Sequence, residues 1–215
     1  MRVLASIPIE KIDLDKCLEF AYAQLETSSG GLYRARGEFR QEKMVNDIVV
    51  GKLGEIGVYR FVTGLEGEFS PVYRFVSAPD FSIYKGRRKS FDADVTVCFS
   101  DNEDLPQYKL HIKSQSMGSY EKYGASWICQ RTDKLTYKPD PIDVLVFVIV
   151  DLDKGFGNIL GMVEATTLFA KGLWGECKVP SYAKTKVALY FDKIEGALKR
   201  GEPVGCLSIF NLLLR

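Results

Sequence analysis

Apolar positions recur at helical spacing in the first third of the chain and at strand spacing through its centre. After Asp13, the residues Leu14, Cys17, Leu18, Ala21 and Leu25 form one apolar stripe and predict a helix, ended by the Ser-Ser-Gly-Gly run at 28–31. A second stripe, Val45, Ile48, Val49, Leu53, Ile56, Tyr59 and Val62, predicts a helix over about 42–62. Gly51, Gly54 and Gly57 lie inside it. Each weakens a helix by ~1 kcal/mol relative to alanine, so they point either to close approach of another element or to an early helix end.

The period then shortens to two. In 91–99 (FDADVTVCF), Phe91, Ala93, Val95 and Val97 face one way and Asp92, Asp94 and Thr96 the other. A polar turn at 101–104 leads to 108–114 (YKLHIKS), where Leu110 and Ile112 alternate with Lys109, His111 and Lys113. These two runs predict a hairpin. Residues 126–130 (SWICQ) read as a short strand, and the β-branched run 144–150 as a strand buried on both faces. Residues 159–164 and 187–191 are expected as edge strands, 192–200 as a short helix, and 207–213 as an apolar segment docked on the core. Helices first, then a strand-rich centre, then mixed elements indicate an α/β (α+β) domain.

Composition narrows the class. With 215 residues, 46% hydrophobic and 27% charged, the chain suits one soluble domain over 1–215. Its parts are an N-terminal helical part (1–62), a sheet core (about 69–164) and a C-terminal strand and helix part (165–215). A net charge of +1 gives no global field to attract nucleic acid, so such binding needs a local patch. The five cysteines, Cys17, Cys98, Cys129, Cys177 and Cys206, form no CxxC pair, which argues against a disulfide framework or a thiolate zinc site and for a reducing cytoplasm. The start lacks a long apolar stretch, so no signal peptide is expected. No run approaches the ~20 residues that span a bilayer, so no membrane is expected as a partner.

The polar face of the hairpin holds the candidate chemistry. Asp94 and Lys113 lie on adjacent strands and can point the same way. Phosphodiester hydrolysis at neutral pH needs carboxylates to hold a hard divalent cation and a positive group nearby. Glu55 shares a helix face with Ile48, Gly51, Tyr59 and Val62, so it should be partly buried and need a partner.

The segments Gly51-Lys-Leu-Gly-Glu55, Ala93-Asp94-Val95 and His111-Ile112-Lys113-Ser114-Gln115 together resemble the PD-(D/E)xK nucleases, the superfamily of many restriction endonucleases, repair nucleases and resolvases. The resemblance spans roughly residues 42–116. It implies a restriction-endonuclease-like central mixed β-sheet flanked by helices, cleavage of DNA dependent on Mg²⁺ (or Mn²⁺), and in many relatives a homodimer. By the same resemblance Glu55 is the helix acid, Asp94 the central metal ligand and Lys113 the catalytic lysine, with Gln115 the polar residue that often follows it. His111 stands where the family has its second acid. An imidazole there is a candidate third metal ligand, better suited to Mn²⁺, Zn²⁺ or Fe²⁺ than to Mg²⁺. The pair Pro79-Asp80 is a competing origin for the motif's first acid, but Pro79 breaks its strand while Asp94 faces the lysine.

Simpler readings stand beside these. Asp94 and Lys113 could be an ordinary cross-strand ion pair, and a lone histidine is more often structural than a ligand. Lys85, Arg87, Arg88 and Lys89 form a basic cluster that would bracket phosphates beside a nuclease centre, or simply be a solvated loop. Arg34, Arg36 and Arg40 are a weaker second patch. The expected function is a metal-dependent DNA endonuclease, whose compactness suits a phage or mobile element. The alternative is a catalytically inactive protein of that fold that binds nucleic acid or a protein partner.

Overall fold

The computed structural model describes residues 3–28, 40–64, 75–83, 93–98, 108–179 and 182–199. The basic cluster 85–89, Arg34, Arg36, Asp92, the polar turn at 101–104 and the segment 207–213 lie outside the described residues.

A short strand, β1 (Ala5–Pro8), precedes the two long helices, α1 (Lys11–Ser28) and α2 (Gln41–Gly64). Then come β2 (Phe75–Val76), β3 (Val95–Cys98) and β4 (Tyr108–Ser116). After α3 (Met117–Tyr123), β5 (Ser126–Gln130) and α4 (Lys134–Tyr137), the chain forms the long strands β6 (Asp143–Asp151) and β7 (Phe156–Glu164). It continues through α5 (Ala165–Ala170), β8 (Gly175–Glu176), β9 (Lys186–Tyr190) and α6 (Phe191–Lys199).

Two sheets result. The larger has the order β1-β7-β6-β4-β3-β2, and the smaller is β5-β9-β8. The expected hairpin is present: β3 pairs antiparallel with β4, Val95 opposite Leu110. β6 lies parallel to β4, which makes the sheet mixed. Two expectations about edges are corrected. β7 is not an edge strand, because β1 pairs along its outer side. β9 is the centre of the smaller sheet, flanked by β5 and β8. Strand polarity patterns report burial; β7 is covered by β1 from the start of the chain, and β9 by the distant β5 on one side and the nearby β8 on the other.

β6 explains the continuous apolar run. All nine of its residues are buried. The pleat sends Val144, Val146, Val148 and Val150 into a core shared with α1 and α2, among Cys17, Val49, Leu53 and Val58. It sends Leu145, Phe147 and Ile149 into a second core with Trp127, Leu160, Leu168 and Ile194. Burial of each such side chain contributes roughly 1.5–3 kcal/mol, so this strand holds the helical layer and the smaller sheet to the same platform. Among the described residues, no helix is long and apolar enough to cross a membrane.

Candidate functional site

α2 lies across β4, and one glycine sets how closely. A Cβ built on Gly54 would come within 1.9 Å of Ser114 Oγ and 3.0 Å of Ser114 Cβ. Only a glycine lets the helix descend onto the strand there. Gly51 has nothing within 4 Å and Gly57 meets only Ile7 Cβ at 4.0 Å. Of the three glycines, therefore, only Gly54 reflects tight approach to a strand.

Glu55, the next residue, lies within electrostatic reach of Asp94, just before β3. Its side chain is 13% exposed, and Lys52 Nζ lies 2.6 Å from Oε2. The ammonium also donates to the carbonyl of Asp80 at 2.6 Å. It stands 5.2 Å from the ring centroid of Phe20 and 5.4 Å from that of Phe81, which meet edge to face. Despite this cation, burial first and the negative charge of Asp94 second push the Glu55 carboxyl up to about 7. Burial, with Asp13 and Glu55 adding to it, likewise pushes the nearby Cys17 thiol up to about 12, so it is no nucleophile.

Asp94 sits one residue before β3. Its backbone N–H donates to the Leu110 carbonyl at 3.0 Å, while its Oδ2 accepts the Ile112 N–H at 2.7 Å. A side chain thus takes the amide that a further β3 carbonyl would have taken, which holds the carboxylate at the level of the sheet. Glu55 and Asp94 are therefore held near one another, from a helix and from the start of a strand.

The other expected residues are placed differently. Leu110 and Ile112 belong to the core under α2, and Ser114 meets Gly54. By the pleat, His111, Lys113 and Gln115 leave β4 on the opposite face. His111 Nε2 is 3.0 Å from Asp143 Oδ1, with both residues buried. Lys113 is half-buried, opposite Phe147 of β6. Gln115 is buried and clamps the turn into β5: its Nε2 donates to the Gly124 carbonyl at 3.0 Å and its Oε1 accepts the Ser126 N–H at 3.0 Å. Among the described residues no three His, Cys, Asp or Glu side chains are grouped so as to hold a metal ion, so Glu55, Asp94 and His111 do not form one cluster.

Sequence reasoning missed Lys52. Its signal was present: it lies three residues before Glu55, a spacing that puts two helical side chains on one face. Asp80 also raises the Glu55 carboxyl, which shows that the Pro79-Asp80 turn borders the same site, although Asp80 Oδ1 accepts the Ser82 N–H at 2.8 Å.

Comparison with protein-family models, with curated proteins and with solved structures finds no match. The residues themselves carry the functional reading.

Proposed function

We propose that this chain is a metal-dependent DNA endonuclease of the PD-(D/E)xK plan, hydrolysing phosphodiester bonds with Glu55 and Asp94 as its metal carboxylates. One observation carries the reading: Glu55 and Asp94 come together from a helix and the first residue before a strand, and the strand paired to it bears Lys113. That is the helix acid, strand Asp and following-strand Lys order of the family, on a mixed sheet flanked by helices.

The donor set fits a hard dication. Burial first, and the neighbouring Asp94 carboxylate second, let Glu55 hold its proton to about neutrality even with a lysine bonded to it. Mg²⁺ and Mn²⁺ accept one or two carboxylates and keep several waters. A cation bound there would supply activated water and charge neutralisation at the phosphoryl group. The chain's own groups do the rest. The Ile112 N–H fixes one oxygen of Asp94, leaving the other to bind. Lys52 orients Glu55 through Oε2. Lys52 also supplies the positive charge beside the carboxylates; Lys113 matches the family's lysine by its order in the chain, and its side chain leaves β4 on the face away from α2. His111, engaged with Asp143, takes no part. The four free cysteines among the described residues suit a reducing cytoplasm.

A second reading is a catalytically inactive nucleic-acid-binding protein of the same plan, favoured by the engagement of His111 with Asp143 where the family has an acid. The deciding experiment incubates the pure protein with plasmid, single-stranded and branched DNA in Mg²⁺ or Mn²⁺, beside Asp94→Asn and Lys52→Ala. Cleavage by the parent, reduced on the order of 100-fold or more in both variants, is expected. No cleavage of any substrate by the parent would rule out the enzyme.

A further inference from the structure

A cavity of about 620 Å³ opens between α2, the end of β4 and the smaller sheet. Gly54 rests on Ser114, Glu55 lies toward Asp94, and Val50, Asp47 and Lys43 of the same helix line the cavity together with Ser114, Gln115 and Ser116 of β4. Its far wall is the smaller sheet and the loop before β9. Ser114 and Gln115 directly follow Lys113 on β4, while Glu55, Asp94 and Lys113 do not themselves line the cavity.

Charge and ring chemistry in this cavity are of one kind. Among its described lining residues four are cations, Arg40, Lys43, Lys178 and Lys186, and one, Asp47, is an acid. Asp47 is bonded to Lys43 at 2.7 Å. Lys178 Nζ lies 4.4 Å from the ring centroid of Tyr190 and Lys186 Nζ 3.5 Å from that of Tyr182, so both ammonium groups are held on aromatic faces. Tyr123 adds a third ring, 39% exposed. Inside the cavity wall, Ser114 Oγ is buried with no hydrogen-bond partner.

We propose that this cavity binds a nucleotide unit of single-stranded DNA, its phosphate against the lysines and its base against Tyr123. Cations that follow a backbone combined with rings that stack on bases are how single strands are held without sequence preference. A half-open cleft of this size is of the order that holds a single ligand unit, whereas a duplex keeps its bases stacked inside and presents a surface too broad to enter. The choice of DNA over RNA rests on the nuclease reading; the site itself does not require Glu55 or Asp94.

The test is fluorescence anisotropy of a labelled 15-residue oligothymidylate in EDTA, so that no cleavage intervenes. The full chain is compared with Lys178→Glu/Lys186→Glu, with Tyr123→Ala and with Lys154→Glu, whose lysine lies outside the cavity. All are first checked for unchanged thermal melting. Charge reversal should weaken binding at least tenfold and flatten the salt dependence, since each lost phosphate contact removes ~0.7 from the log–log slope. Tyr123→Ala should weaken it about fivefold or more, and Lys154→Glu should not. Absence of binding by the parent, equal weakening by Lys154→Glu, or tighter binding of a duplex with the same response to the variants would overturn the assignment. If these shifts appear while the parent cleaves nothing in Mg²⁺ or Mn²⁺, the cavity assignment stands and only the nuclease reading falls.

Discussion

Lys52 Nζ lies 2.6 Å from Glu55 Oε2, yet the Glu55 carboxyl is held up at about 7. An ion pair of that length in water would lower a carboxyl group. Here desolvation and the neighbouring Asp94 outweigh it, because charge taken out of water is only partly restored by one cation. A cation bound between the two carboxyl groups would favour the ionised form of Glu55 and so reverse that shift.

This has a consequence for stability. Glu55 binds its proton more tightly in the folded chain than at its ordinary value of 4.5. Its contribution is fully present below about 4.5 and is lost as pH rises through about 7. Glu55→Gln removes that decline, so the variant should be more stable than the parent at pH 8, by on the order of 1–3 kcal/mol. The two should converge near pH 4.5. Urea melts across this range measure it, and a parent no less stable than the variant at pH 8 contradicts the placement of Glu55.

Asp94 has two separable roles. Asn keeps a carbonyl oxygen for the Ile112 N–H, whereas Ala leaves that amide without its partner. Asp94→Ala should cost about 1–3 kcal/mol and Asp94→Asn less than 1. Both should lose divalent-cation binding. Thermal melts with and without Mn²⁺ distinguish fold from site: the parent should gain stability from the cation and neither variant should.

The glycines of α2 give opposite expectations. Gly54→Ala forces a methyl group against Ser114 and should destabilise the chain by about 1–3 kcal/mol. Gly51→Ala meets nothing within 4 Å and should stabilise it by up to ~1 kcal/mol through helix propensity. Denaturant midpoints of the two variants decide, and equal effects would contradict the close approach at Gly54.

His111 tests the boundary of the site. His111→Ala leaves Asp143 buried without its ring partner and should cost about 2–4 kcal/mol. Mn²⁺ affinity of the folded variant, by calorimetry, should match the parent's. A loss of tenfold or more would return His111 to the metal site.

Much of this protein could be read from residue order alone. The stripe from Val45 to Val62 specifies α2 because a 3.6-residue period has only one way to bury its apolar side. The alternation in 108–114 and the unbroken run 144–150 specify β4 and β6 for the same reason with a period of two. Local periodicity also placed Glu55 on a helix and Asp94 and Lys113 beside paired strands. What it could not supply was which sequence-distant groups meet. The shelter of β7 behind β1, the pairing of β9 with β5, and the hydrogen bond from His111 to Asp143 all join residues far apart in the chain. The mate of His111 is set by β6 lying parallel to β4, a pairing that no local pattern encodes. Likewise Gly54 announced a close approach but not its partner. Only the packing of α2 on β4 made that partner Ser114, and so set Glu55 beside Asp94.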